Sequence, residues 1–171
     1  MACGPFSVGQ GAHTADCGYF SAYVLLMNQP PGFRPGLFTQ QDVYDERDTW
    51  RQSQRLARGH YWVTVPQLVQ FLSYLGLTGY QAFTPRITPR YPDTPAGYAQ
   101  RIRDAANQGV GAILLLQRPG APAGHYVAVL KHTGPNICCY DPARPGRSGQ
   151  FDATSFAREF KDVTTHIIAH V

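Results

Sequence analysis

A cysteine at the mouth of an apolar run is the residue best equipped for chemistry in this chain. Cys17 stands in Ala15-Asp16-Cys17-Gly18-Tyr19-Phe20-Ser21-Ala22, and the run continues through Tyr23-Val24-Leu25-Leu26-Met27. That stretch reads as a buried helix. Aspartate is a favoured N-cap residue, so Asp16 is expected to cap the helix and Cys17 to fall in its first turn. Unpaired backbone N–H groups and the positive end of the helix dipole favour a thiolate over a thiol at such a position. A thiolate nucleophile needs a proton-handling partner, normally a histidine supplied from elsewhere in the chain. His125, in Gly124-His125-Tyr126-Val127-Ala128-Val129, is the candidate, and Asp141 follows just after the next expected strand. A carboxylate accepting from one imidazole nitrogen fixes the tautomer and steadies the imidazolium. The expectation is therefore cysteine, histidine and aspartate acting together, in that chain order.

The remaining reactive side chains carry less. His13 lies on the same arm as Cys17 and ranks below His125, while His60, His132, His166 and His170 have no acidic partner that the sequence places to orient them. Cys3, Cys138 and Cys139 lack a helix-start setting and read as inert, with no disulfide framework evident. Cys138 and Cys139 are neighbours in an expected strand, so they point to opposite faces. There is no CxxC pair, no zinc-ligand spacing, no glycine-rich phosphate loop and no HExxH. No metal or cofactor is expected. Trp50, Tyr61 and Trp62 read as core or cleft wall.

Positioning these residues requires a helical first part and a stranded second part. The first helix should run from Cys17 to Met27 and stop at Asn28-Gln29-Pro30-Pro31-Gly32, because two prolines cannot continue it. Thr39 can cap a second helix to about Leu56, and Thr64-Val65-Pro66-Gln67 opens a third that Gly76 ends. A short strand is expected at Tyr80 to Phe83, then a proline-rich loop over 84–94, then a helix from Thr94-Pro95 to about Gly109. From Gly111 to Leu116 the run is apolar throughout, as in a strand covered on both faces. His125 to Lys131 and Ile137 to Tyr140 read as a hairpin around Gly134-Pro135-Asn136. Thr154 to Phe160 reads as a short helix and Thr164 to Val171 as a closing strand. Helices first and antiparallel strands after them define an α+β domain.

The 171 residues suit one domain, residues 1–171, with 43% hydrophobic and 15% charged residues, a globular composition. The apolar runs are too short to span a bilayer and the first residues lack a signal-peptide pattern. A cytosolic protein, or a domain of a larger polyprotein, is expected. The net charge of +4 is almost wholly arginine. Arg47, Arg51, Arg55 and Arg58 recur beside Asp42, Asp45, Glu46 and Asp48, which reads as i,i+4 pairing on a solvated helix. No nucleic-acid partner is expected, since no interleaved aromatics accompany the positive charge.

Three blocks make the chain resemble the papain-like cysteine peptidases, a superfamily with Cys-His-Asn/Asp in that order. They are Gln10-Gly11 followed by Asp16-Cys17-Gly18-Tyr19-Phe20-Ser21-Ala22, then Gly124-His125-Tyr126-Val127-Ala128-Val129, then Tyr140-Asp141-Pro142. The Asp-Cys-Gly, Gly-His-Tyr-Val and Asp-Pro pieces are most like the double-glycine leader peptidases. The order and wide spacing of Gln10, Cys17, His125 and Asp141 also resemble the Josephin-type deubiquitinases, and viral papain-like proteases are a further likeness. The Cys17–His125 spacer is shorter than in papain and longer than in the leader peptidases, and no second cysteine precedes Cys17 as in papain's own signature.

The resemblance implies a helical part carrying the Cys17 helix, packed on a C-terminal antiparallel sheet carrying His125 and Asp141. It also implies that Gln10 supplies a side-chain N–H to an oxyanion hole, with the Cys17 backbone N–H as the second donor. The implied function is a thiol peptidase acting on a protein or peptide: a polyprotein junction, a leader peptide or a ubiquitin-like tail. Two alternatives stand beside it. One is an acyltransferase or transglutaminase-like enzyme using the same triad; the other is a catalytically silent binding module.

Overall fold

The structure is a computed structural model that describes residues 8–10, 15–29, 39–57, 62–121 and 123–171. Its first helix, α1, spans Cys17–Met27, and most of its side chains are buried. That all-round burial is what a helix without an amphipathic stripe requires. Its C-terminal turn closes on Asn28, whose backbone N–H reaches the carbonyls of Val24 and Leu25 and whose side chain donates to the Val110 carbonyl. Helix α2, Gln40–Ser53, opens with a capping box in which Thr39 and Asp42 serve each other's backbone N–H groups. Helix α3, Val65–Tyr74, opens the same way, with Thr64 and Gln67. It stops where Gly76 turns into the left-handed region at φ 83°, a conformation glycine adopts without a Cβ penalty.

Six strands follow: β1 Tyr80–Phe83, β2 Gly111–Leu116, β3 His125–Leu130, β4 Ile137–Tyr140, β5 Gly149–Phe151 and β6 Thr164–His170. They form one sheet in the order β1-β6-β2-β3-β4-β5, with every neighbouring pair antiparallel. Helices α4, Pro95–Gln108, and α5, Ala153–Phe160, complete the fold. One sheet face packs on α1 and α3 with Trp50 of α2, the other on α4 and α5. The sheet is therefore sandwiched between two helical layers. This explains why the central strand β2 is apolar along its length. The architecture is α+β, as expected, with α4 and α5 placed on the face opposite α1. No helix among the described residues is long and apolar enough to cross a membrane.

Two expectations need correction here. Arg47 and Arg51 do not lie on a solvated face; both are buried against α1, Arg47 pairing with Asp16 at 2.7 Å and Arg51 donating to the Tyr19 hydroxyl at 3.1 Å. Counting i,i+4 charges along α2 could not show this, because both partners lie some thirty residues away in α1's neighbourhood. Second, Cys138 is disulfide-bonded, whereas Cys17 and Cys139 are free. The two adjacent cysteines do point to opposite faces: Cys138 joins the core on the α1 side and Cys139 that on the α4 side. Arg58, His60 and Tyr61, like His13 and Cys3, lie outside the described residues.

Candidate active site

Cys17 is the first residue of α1 and is 7% exposed. Asp16 precedes it with φ −92° and ψ 3°, and its side chain makes no capping hydrogen bond. This corrects the capping role expected for it: the carboxylate is given to Arg47 instead, and both groups are buried. The helix still begins at Cys17, because the Asp16 carbonyl accepts the Phe20 N–H at 3.1 Å. The Cys17 sulfur accepts the backbone N–H of Tyr126, the second residue of β3, at 3.4 Å. Helix α1 and the segment before α3 come together closely at Gly18, where a Cβ would sit 2.4 Å from Val63 Cγ1. A Cβ there would force the Val63 side chain to shift.

His125 opens β3, so the strand that packs on α1 delivers its ring to the helix end. Its Nε2 lies 2.7 Å from Asp141 Oδ1, and the Cys17 sulfur is near enough to act on the ring's charge. Burial works against a charged ring, but the Asp141 carboxylate and the Cys17 sulfur overcome it and raise the His125 pKa from 6.5 to about 9.

Asp141 follows the last residue of β4 and is held by a local turn. Its Oδ1 accepts the Ala143 N–H at 2.9 Å, and its own N–H donates to Ser148 Oγ at 2.8 Å. The turn chemistry and the contact with His125 thus coexist. Burial would raise this carboxyl, but its hydrogen bond to His125 and the imidazolium charge dominate and lower its pKa.

Gln10 meets the same cleft from a third direction. Its backbone N–H donates to the Pro142 carbonyl at 2.9 Å, which ties the arm to the loop after Asp141. A cavity of about 530 Å³ is lined by Gln10, Cys17, Trp62, Val63, Leu115 and His125 among others. Trp62 is 58% exposed on its wall, as the cleft-wall reading anticipated, whereas Trp50 is core. On the other side of His125 a second cavity, about 290 Å³, includes Asp141, Arg118 and Arg144. The structure therefore brings Gln10, Cys17 and His125 to one cavity, and Asp141 meets His125 from the second. His132, His166 and His170 are elsewhere; the last packs edge-on against Tyr80.

Sequence reasoning missed three contributors: the Tyr126 N–H on the sulfur, the Asp16–Arg47 pair, and Gln40 of α2, whose Nε2 donates to the Gly9 carbonyl at 2.9 Å. Backbone donors and long-range pairs leave no mark in residue type or spacing.

No protein-family model and no curated protein matches the sequence. By structure the fold is nonetheless recognisable: it is the α+β fold of solved peptidase domains. The chain is similar to the peptidase domain of Streptococcus ComA, a bifunctional ABC transporter involved in a quorum-sensing pathway, with TM-score 0.53 and 14% identity over 96% of this chain and 97% of that one. Two other solved structures are a double-glycine motif protease from an AMS/PCAT transporter in complex with its leader peptide, and the Pseudomonas avirulence protein AvrPphB. The first has TM-score 0.49 and 13% identity over 99% of this chain and 94% of that one. The second has TM-score 0.47 and 13% identity over 96% of both chains.

Proposed function

We propose that the protein is a cysteine peptidase in which Cys17 is the nucleophile, His125 the proton carrier, Asp141 the group orienting His125, and Gln10 an oxyanion donor. The observation that carries this reading is the 2.7 Å His125 Nε2–Asp141 Oδ1 contact on a ring that lines the same cavity as Cys17. An imidazolium held between a carboxylate and a sulfur is the resting state of an activated thiol. In the reaction, the Cys17 sulfur forms a bond to the substrate carbonyl carbon, and the carbonyl oxygen takes the negative charge beside the Cys17 N–H and the Gln10 side chain. Collapse breaks the C–N bond while His125 gives its proton to the leaving amine. Water then attacks the thioester, His125 takes its proton, and the acid departs as Cys17 is released.

A polypeptide substrate is favoured by two cavities that share Ala123 and His125, one reaching Cys17 and the other Asp141. Digestion of a proteome-derived peptide library, read by mass spectrometry, tests the reading. New termini should appear with wild-type protein and vanish with Cys17→Ala or His125→Ala. Absence of cleavage would leave a silent binding module. Within the proposed class, polyprotein junctions, leader peptides and ubiquitin-like tails are sorted by the sequence of the cut. Acyl transfer is detected by adding an amine and weighing the product.

A further inference from the structure

Helix α2 carries no residue of the candidate triad, yet two of its side chains reach the two pieces of chain that bear the oxyanion donors. Gln40 Nε2 donates to the Gly9 carbonyl at 2.9 Å, next to Gln10. Arg47 Nη1 pairs with Asp16 Oδ1 at 2.7 Å, next to Cys17. Seven residues make about two helical turns, so Gln40 and Arg47 share one face of α2 about 10 Å apart. The Arg47 guanidinium is itself fixed, stacked 4.7 Å over the Tyr44 ring and bonded through Nε to Asp48.

The geometry points to α2 as a bracket that holds the two oxyanion donors in register, with Gln40 and Arg47 as positioning residues. This rests on the peptidase reading above. The Asp16 carbonyl is spent inside the helix on the Phe20 N–H. Across a trans peptide the Cys17 N–H then points the opposite way, out of the helix end. Anchoring the Asp16 carboxylate from outside the helix fixes the remaining freedom of that peptide plane. The Gln10 arm has its other anchors on the sheet side: Gln10 N–H to the Pro142 carbonyl, and the Tyr140 hydroxyl to the Val8 carbonyl at 2.8 Å. Gln40 supplies the anchor from the α1 side. Oxyanion donors act only when they sit where the charge develops, so a bracket fixing both is a rate device and not merely a packing contact.

Two reactions of Cys17 separate positioning from general damage. Alkylation by iodoacetamide is a displacement at carbon that builds no oxyanion. Acylation by N-acetylglycine p-nitrophenyl ester forms a tetrahedral oxyanion before p-nitrophenolate leaves. Gln40→Glu keeps the side-chain shape, removes the donor, and places a carboxylate in the first turn, where it suits the helix. Arg47→Lys keeps the charge and loses the fork. Both variants should slow the p-nitrophenolate burst about tenfold, less than the ~10²-fold or more for outright loss of a donor, while alkylation keeps the wild-type rate. Wild-type acylation in both variants, or acylation and alkylation falling together, would overturn the bracket. A wild-type protein with no burst, or a burst that survives Cys17→Ala, would instead overturn the peptidase reading beneath it.

Discussion

Removing the Asp141 carboxylate should lower the pH at which His125 gives up its proton. His125 carries opposing influences: burial, the largest, disfavours the imidazolium, while the Asp141 carboxylate and the Cys17 sulfur favour it and raise the pKa from 6.5 to about 9. At about 1.4 kcal/mol per pH unit that net rise corresponds to about 3 kcal/mol. The ring is 31% exposed and the carboxylate 22%, and the sulfur shares the effect, so Asp141 accounts for about 1–2 kcal/mol after solvent screening. The His125 Cε1–H resonance, titrated by NMR, reads this directly. Its inflection should lie near 9 in the wild type and fall by about one pH unit in Asp141→Ala. In Asp141→Ala/Cys17→Ala it should drop below 6.5, because burial alone is left to act.

The same linkage fixes the sign for stability. A folded pKa above the ordinary one means that the stabilisation is complete below pH 6.5 and lost as pH rises through about 9. The stability gap between wild type and Asp141→Ala should accordingly be widest in neutral to mildly acid solution and narrow in alkali. At the acid end, the lowered pKa of Asp141 means that its contribution holds above the ordinary carboxyl value of 3.8 and disappears as the carboxylate is protonated. An inflection that stays near 9 without Asp141 would refute the reasoning, since the 2.7 Å contact would then not be what holds the proton.

Other expected outcomes concern the framework. Arg47→Met takes the guanidinium away from the buried Asp16 carboxylate and should cost about 3–5 kcal/mol in urea unfolding, with Asp16→Asn/Arg47→Met recovering much of it. Equal losses in the single and double variants would show that the pair itself is unimportant. Gly18→Ala gains helix propensity but drives a Cβ to 2.4 Å from Val63 Cγ1, so it should destabilise by about 1–3 kcal/mol, with Val63→Ala relieving it in a double-mutant cycle. Trp50→Ala removes a ring packed edge-on against Tyr19 and Phe71 at centroid distances of 6.1 and 5.2 Å, and should cost about 3–5 kcal/mol. A loss under 1 kcal/mol, measured by urea denaturation, would mean that the core closes around the hole about as well as a surface would.

What the sequence made legible follows from what local chemistry can encode. Helix α1 begins at Cys17 and ends at Met27 as expected, since an apolar run bounded by Asn28 and the prolines after it specifies both ends. The helix starts at Thr39 and Thr64 were readable because a cap is local chemistry, although the reciprocal bonds to Asp42 and Gln67 were not foreseen. Cys17, His125 and Asp141 were singled out because each stands at an element end: a helix start, a strand start and a turn. What escaped was non-local. Asp16 looks like a cap in its own neighbourhood, but a buried guanidinium from α2 outcompetes the helix N–H groups for its carboxylate. Arg47 and Arg51 look solvated beside their acidic neighbours and turn inward only because α1 offers Asp16 and Tyr19. The three-residue strand β5 has no apolar alternation to announce it and exists through its pairing with β4. The disulfide at Cys138 likewise depends on a tertiary approach that spacing does not express.

The central claim, that His125 activates Cys17, is tested most directly by iodoacetamide labelling followed across mildly acid to alkaline pH, with the modified cysteine located by peptide mass. Rapid labelling of Cys17 in mildly acid solution, lost in His125→Ala, is the predicted result. Labelling that proceeds only in alkaline solution at the pace of an ordinary thiol, and is indifferent to His125→Ala, would contradict it.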